Sequence, residues 1–426
     1  MSAPARIILF TLMNGISRNI YQVLFNLYLK SQGYGNDIIG TIMSYNLWGG
    51  AILALLIGYI SDKIGRKKVI FFILPLTVFF AIIRLLPISL CFIYLASFLY
   101  GGFNSSIRIL SDVFIVENTH NRNRAKFFGL NFGANMFTGV LGNATGGMFG
   151  DLFGFKNVMI LAMIFRLFAV FPILKLEEKR IERGKFVLTE FQKKVFRFFI
   201  FSTASVGFGA GLFIHFGNVI FYDLFSLSAT VIGFILAFAQ LGTSLGSSFS
   251  HKLGKKFGAG KLLFLSYFTV PFLIFLLAFI RDPVLFTTIY IGRFTIMNMV
   301  NPIFNTLVLS FLPSGILASS AGIRLFANNT MRAFAAMLFS KLAINNNGYT
   351  IIFLISAIFY FINAILTYIF YRNLDGRDRE YYNHWSMSIV TLFDSNFIFL
   401  RRSGFFLIIC FNPVSPLINR SSLNKE

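Results

Sequence analysis

Gly58-Tyr-Ile-Ser-Asp-Lys-Ile-Gly-Arg-Lys-Lys68 decides how the rest of this chain is read. An apolar run from about Ile38 to Ile60 leads into it and another leaves it from Val69 to about Leu86, each long enough to cross a bilayer as a helix. Two glycines, one acid and four cations therefore occupy a very short turn between two spanning helices. A joint that short is packed structure, not a tether.

The chain around it is 426 residues long, 56% hydrophobic and 13% charged, with a mean hydropathy of +0.73. That is the composition of a polytopic membrane protein, not of soluble domains. The 57 phenylalanines suit a setting in which lipid is the solvent and aromatic faces give contact area between helices. A formal charge of +22 raises the question of nucleic acid, but the cations do not form one basic face. In the first half Arg6, Lys30, the Lys63/Arg66/Lys67/Lys68 turn, Arg84, the Arg122/Arg124/Lys126 group and Lys156 alternate between rich and poor loops. This pattern places both termini and the Gly58–Lys68 turn in the cytoplasm and argues against a nucleic-acid partner. Cys91 and Cys410 are too few for a disulfide framework or a metal site. The first residues run straight into an apolar helix, which reads as a retained span and not a signal peptide.

Spanning segments recur at about 7–28, 38–61, 69–87, 90–115, 127–149 and 156–175. After a charged stretch they resume at about 196–222, 228–250, 261–281, 284–312, 319–342 and 349–371. The expectation is an all-α membrane protein with 12 transmembrane helices in two six-helix bundles. Residues 1–176 form the N-terminal bundle, 177–195 a cytoplasmic linker, 196–371 the C-terminal bundle and 372–426 a cytoplasmic or interfacial tail. A thirteenth span in the tail is disfavoured by the adjacent Arg401 and Arg402. The halves echo one another: Asn26 precedes Gly40 much as Asn218 precedes Gly233. The joint at Ser250–Gly258 keeps the glycines and cations of the opening stretch but has no counterpart to Asp62.

Gly58, Asp62, Lys63, Gly65, Arg66 and Lys67 follow the pattern Gly-x-x-x-Asp-(Arg/Lys)-x-Gly-(Arg/Lys)-(Arg/Lys), which resembles the loop between helices 2 and 3 of the major facilitator superfamily of secondary transporters. Glu117 to Gly129 resembles that family's connection between helices 4 and 5, and Gly150-Asp-Leu-Phe-Gly-Phe its joint before helix 6. The resemblance implies a transporter with a central cavity lined by helices 1, 4, 7 and 10. It also implies a gating role for the opening stretch. In that role Gly58 permits close helix approach, Gly65 makes the turn, Asp62 faces the N-terminal end of helix 11, and Arg66 and Lys67 meet Glu117.

Ionised groups inside the bilayer are costly and usually face a cavity or a partner. Asn14, Arg18 and Tyr21 share a face of the first helix, suited to an anionic or hydroxyl-rich group or to locking helix packing. Arg108 and Asp112 lie one turn apart on the fourth helix, where an ion pair is expected, either structural or switched by a proton or cation. Asn298, Asn301 and Asn305 form a polar stripe on the tenth helix, readable as a site for an uncharged polar substrate or as interhelical glue. Arg324, Asn328, Asn329 and Arg332 make a comparable stripe on the eleventh. His215 could serve a proton path or be structural.

No phosphate-binding loop, metal cluster or hydrolytic pair of carboxylates is present, so no cofactor, no metal and no enzymatic activity are expected. The partners expected are a small-molecule solute, the lipid bilayer and protons, in a monomer at the plasma membrane. Efflux of amphipathic compounds is preferred over uptake of a sugar or other polar metabolite. A membrane sensor or scaffold that transports nothing is the alternative of another class.

Overall fold

The computed structural model describes residues 2–119, 121–174, 176, 189–310, 317–345 and 347–372. Every regular element among them is helical. The first six units are α1 (Ala3–Ser31), α2 (Asn36–Ile64), α3 (Arg66–Ile83), α4 (Leu90–Glu117), α5 (Asn121–Phe153) and α6 (Phe155–Leu174), the last with a 3-10 turn at Phe168–Val170. The second six are α7 (Glu190–Phe225), broken near Gly211 and Phe216, then α8 (Ala229–Phe257), α9 (Ala259–Phe279), α10 (Pro283–Ser310), α11 (Leu317–Leu342) and α12 (Gly348–Arg372). Eight of these, α2, α4, α6, α7, α8, α9, α10 and α12, are long and apolar enough to cross a membrane. Of the other four, α1 and α11 carry arginines and lysines along their length, α3 opens on Arg66, Lys67 and Lys68, and α5 is rich in glycine and asparagine.

The helix boundaries follow local chemistry. Gly65 joins α2 to α3 at φ +102° and Gly258 joins α8 to α9 at φ +84°, conformations that an L side chain adopts only under strain. The short turn expected at Gly65 is therefore present, and its counterpart in the second half repeats it. Helix α7 starts earlier than the apolar pattern suggests. A capping box, in which the Thr189 hydroxyl accepts from the Gln192 amide and the Gln192 side chain accepts from the Thr189 amide, begins it inside the stretch expected as linker. The rest of that linker, at 177–188, and the tail beyond 372 lie outside the described residues.

Packing repeats with a period of six helices. Helix α1 packs on α5 and α6 as α7 packs on α11 and α12; α2 packs on α4 as α8 packs on α10; α3 packs on α4 as α9 packs on α10. Two extensive contacts join the first six helices to the second six, α2 with α11 and α5 with α8, and a smaller one joins α1 to α7. They too are equivalent under the same shift.

These two antiparallel crossings are closest at the end away from the Gly58–Lys68 turn. A Cβ on Gly40 would lie 2.7 Å from Ser340 Cα, and one on Gly147 2.3 Å from the Ala229 carbonyl, so only glycine fits. Further along, the Ser44 hydroxyl donates to Ala333 O at 2.8 Å and the Asn329 amide to Gly50 O at 3.3 Å. Nearer the turn the picture reverses: a Cβ on Gly58 of α2 or on Gly322 of α11 would meet nothing within 4 Å. The close approach expected at Gly58 is absent from this conformation.

The apolar core divides the same way. One cluster runs through both sets of six helices and in the second set continues to Val195, Phe199 and Leu262, whereas a second, built on Ile7, Phe10, Ile70, Leu74, Ile107 and Phe114, belongs to the first six alone. The molecule is thus joined at one end and parted at the other. Many phenylalanines, among them Phe71, Phe72, Phe92, Phe201 and Phe272, stand exposed on its outer faces, as expected of surfaces that meet lipid.

Candidate functional site

Between the two sets of helices lies a polar centre. Arg166 on α6 is fully buried; its Nε donates to Asn14 Oδ1 and its Nη2 to Asn104 Oδ1, both at 2.7 Å. Arg18 Nη2 donates to Asn135 Oδ1 at 2.9 Å. Thr11 donates to Asn131 Oδ1 at 2.6 Å, and the Asn131 amide donates to Asp112 Oδ1 at 3.3 Å. Asparagine carboxamides thus hold each charged group by its polar edge without neutralising it.

Arg108 and Asp112 are both exposed although they sit mid-way along α4, because they face the space between the parted helices. The ion pair expected of them does not form: no ion pair within 4 Å joins Arg108 to Asp112 among the described residues, and Asp112 is held by Asn131 instead. Side chains one turn apart on a helix pair well only when both lean toward each other, and the α5 carboxamide draws the carboxylate aside.

The other expected residues separate into packing and centre. Asn14 and Tyr21 share a face of α1 but not a cavity wall. Asn14 is buried against Arg166, and the Tyr21 hydroxyl donates to Ala81 O of α3 at 2.8 Å. Arg18 alone of the three stays partly exposed. Asn301 donates to Asn298 Oδ1 at 2.9 Å, and Asn298 donates to Thr243 of α8 at 3.1 Å, so this pair ties α10 to α8. His215 Nε2 lies 3.1 Å from Arg332 Nη1. Because a guanidinium can only donate, that imidazole nitrogen is the acceptor and the ring is neutral. Lys63 lies 4.5 Å from the Tyr59 ring centroid, and Lys67 donates to Leu176 O at 3.2 Å. The side chains of Asp62, Glu117 and Asn305 lie outside the described residues, so the contacts expected of them, including those of Arg66 and Lys67 with Glu117, are not described.

Two groups escaped the sequence. Arg84, counted there with the loop cations, is buried at the end of α3 with its guanidinium 3.7 Å from the Phe25 ring centroid and 4.7 Å from that of Tyr100. Rings replace water around this cation. Arg293, which the sequence already sets among the polar residues of the tenth helix, is buried in the same manner against Phe213, Phe294 and Tyr360.

The second is a polar node at the joined end. Asp223, near the end of α7, takes Lys30 Nζ of α1 at 2.9 Å, the Asn36 amide of α2 at 2.9 Å and the Tyr349 hydroxyl of α12 at 2.5 Å. The Asn36 amide also reaches Ala343 O at 3.1 Å. Just below, Asn26 donates to Asn218 Oδ1 at 3.1 Å, while Asn218 donates to Val23 O at 2.8 Å. Asn26 and Asn218 stand at the same place in their respective halves, and Lys30 and Asp223 follow them about one turn later. One charge of each sign at equivalent ends of α1 and α7 would have been the sequence signal.

A family model described as the Major Facilitator Superfamily matches residues 7–336. Among solved structures, the chain is similar to a bacterial homolog of the human lysosomal transporter Spinster in an inward-facing and occupied conformation. The TM-score is 0.69 at 13% identity, covering 88% of this chain and 97% of that one. It is also similar to a D-xylose-proton symporter (TM-score 0.68, 14% identity, 86% and 95% covered) and to a nucleoside transporter (0.67, 15%, 86% and 99%). No curated protein sequence matches it. At these identities the likeness is one of fold.

The node at Asp223 makes a measurable prediction. Asp223→Ala removes the common acceptor of three donors, and Lys30→Ala leaves a largely enclosed carboxylate without its cation; each is expected to cost about 1–3 kcal/mol. In thermal unfolding of the purified protein, the double variant should cost clearly less than the sum of the singles. Full additivity would show that the two charges do not act on one another.

Proposed function

The chain belongs to the Major Facilitator Superfamily, and we propose that it is a secondary transporter carrying a small solute by alternating access. In this account all twelve helical units cross the membrane, with both termini cytoplasmic. Residues 1–176 and 196–371 are two bundles that rock about the α2–α11 and α5–α8 crossings, and the 177–195 segment links them on the cytoplasmic side. The alternation of basic and poor loops supports this orientation, and the membrane in this account is the plasma membrane.

One observation carries the proposal. Along the α2–α11 crossing, Gly40 faces Ser340, Ser44 faces Ala333 and Gly50 faces Asn329. Continuing that antiparallel register about two turns past Gly50 brings Gly58 opposite Gly322. Both are glycines, and both now face open space. The helices carry a second small-residue contact that this conformation does not use, placed where the cytoplasmic ends would meet once the far end opens. The Gly58–Lys68 stretch is the latch of that second state, with Asp62 at the start of α11. No acid stands at the matching joint of the second half, so the latch is one-sided.

Proton coupling, where it operates, falls to Asp112. His215 is already committed as an acceptor from Arg332, whereas Asp112 is open to the central space and next to Arg108. The phenylalanines that suggested amphipathic substrates stand on lipid-facing surfaces or between helices, so the solute is read from the centre instead.

Two outcomes follow. With Cys91→Ser and Cys410→Ser in place, Gly58→Cys and Gly322→Cys should form a disulfide under mild oxidation in membranes and abolish flux reversibly. No cross-link under any condition that supports flux would remove this contact from the cycle. Asp112→Asn should retain solute exchange while losing the response of flux to an imposed pH gradient; an unchanged response would take Asp112 out of coupling.

A further inference from the structure

The charge balance at the centre is lopsided. Arg18 of α1, Arg108 of α4, Arg166 of α6, and Arg324 and Arg332 of α11 gather around it, and Arg108 acts electrostatically on Arg18, Arg324 and Arg332. Helices α1, α6, α8, α10 and α11 contain no acidic residue at all. Asp112 is the carboxylate that meets this group among the described side chains, and the Arg108 charge acts on it. Guanidiniums placed within mutual reach in a weakly polar body repel one another, a cost usually offset by an anion or by function.

Their hydrogen bonding points the same way. Arg18 and Arg166 are held by carboxamide oxygens, which orient a guanidinium but bring no negative charge. Arg332 Nε is buried without an acceptor, as are the Nε atoms of Arg84 and Arg293, and Arg166 faces the Tyr100 hydroxyl. Arg108 projects into the open centre with neither hydrogen bond nor ion pair among the described residues. Planar forks with spare donors match the oxygens of a carboxylate or phosphate, and suit a sugar hydroxyl or an organic cation far less well.

Resting on the transporter reading above, we propose that the solute is a small soluble oxyanion bearing a carboxylate or phosphate, held between Arg18 and Arg108 of the first bundle and Arg332 of the second. An anion there would touch both bundles at once. Its charge would relieve the repulsion that otherwise resists their approach, which ties occupancy to the change of state.

The field of the centre can be measured without knowing the solute. The protein carries Cys91→Ser and Cys410→Ser, with Asn104→Cys one turn before Arg108. Modification rates of this thiol by anionic and cationic methanethiosulfonates of equal size are each normalised to a free thiol. The anionic reagent should react roughly tenfold faster or more, and the ratio should fall several-fold in Arg108→Gln. The ratio in the parent protein decides by itself if that variant does not fold. Equal rates, or a faster cationic reagent, overturn the proposal. Reaction with neither reagent overturns the alternating-access reading itself, because position 104 then never meets water. Slowing of the anionic reagent by added succinate or inorganic phosphate supports a soluble oxyanion. Slowing only when phosphatidylglycerol vesicles replace neutral detergent assigns the site to a lipid headgroup and overturns it.

Discussion

Asp223 joins four helices through three donors. Lys30 brings α1, Asn36 brings α2 and Tyr349 brings α12 to a carboxylate on α7. The donors come from both sets of six helices, so the node closes one end of the molecule. Charge-assisted hydrogen bonds of this kind are strong when enclosed, and Lys30 and Asp223 each keep 17% of their side-chain surface exposed. That residual contact with water leaves a bond that can be broken and remade. A lining of side chains interlocked without polar groups would close the end as well but would lack a directional release.

With that end closed, the glycine contacts fall into two groups. Those near it are occupied to the limit of what glycine allows, and Gly58 and Gly322 stand apart. Two helices that can touch at either end but not at both make a bistable element, which is what alternating access requires. The arginines add a second constraint. Those with no part in the centre, Arg84 and Arg293, are wrapped in aromatic rings. At the centre Arg18 and Arg166 are propped by asparagines, Arg332 meets His215 and Arg324 lies against the Phe199 ring. The same residue type thus meets rings at the edge and mostly polar partners at the centre.

Much of the architecture was legible in the sequence because lipid imposes a simple code. Spanning runs and short joints placed the helices to within a few residues, except at the start of α5, at the end of α8 and where the Thr189 cap started α7 early. The repeat was legible in Asn26 with Gly40 and Asn218 with Gly233, though not that these asparagines bind each other. Long-range partners were the hard part. Lys30 and Asp223 look like ordinary loop charges until α1 and α7 are laid side by side. Arg84 reads as a loop cation because it follows a span, and only the fold brings Tyr21, Phe25 and Tyr100 around it. Helical spacing correctly put Asn14, Arg18 and Tyr21 on one face. It could not say that three different helices meet that face and divide the residues among them.

The central claim is that closing one end opens the other. Dipolar spectroscopy between spin labels tests it most directly in the reconstituted protein, with one pair at Gln32 and Ser226 on the closed end and another at Ile64 and Ile323 on the parted end. The account predicts two populations whose distances move in opposite senses: a lengthened 32–226 separation accompanies a shortened 64–323 separation, and Asp223→Ala shifts weight toward that state. A single distance at each end that no solute or variant moves, or both ends widening together, would contradict it.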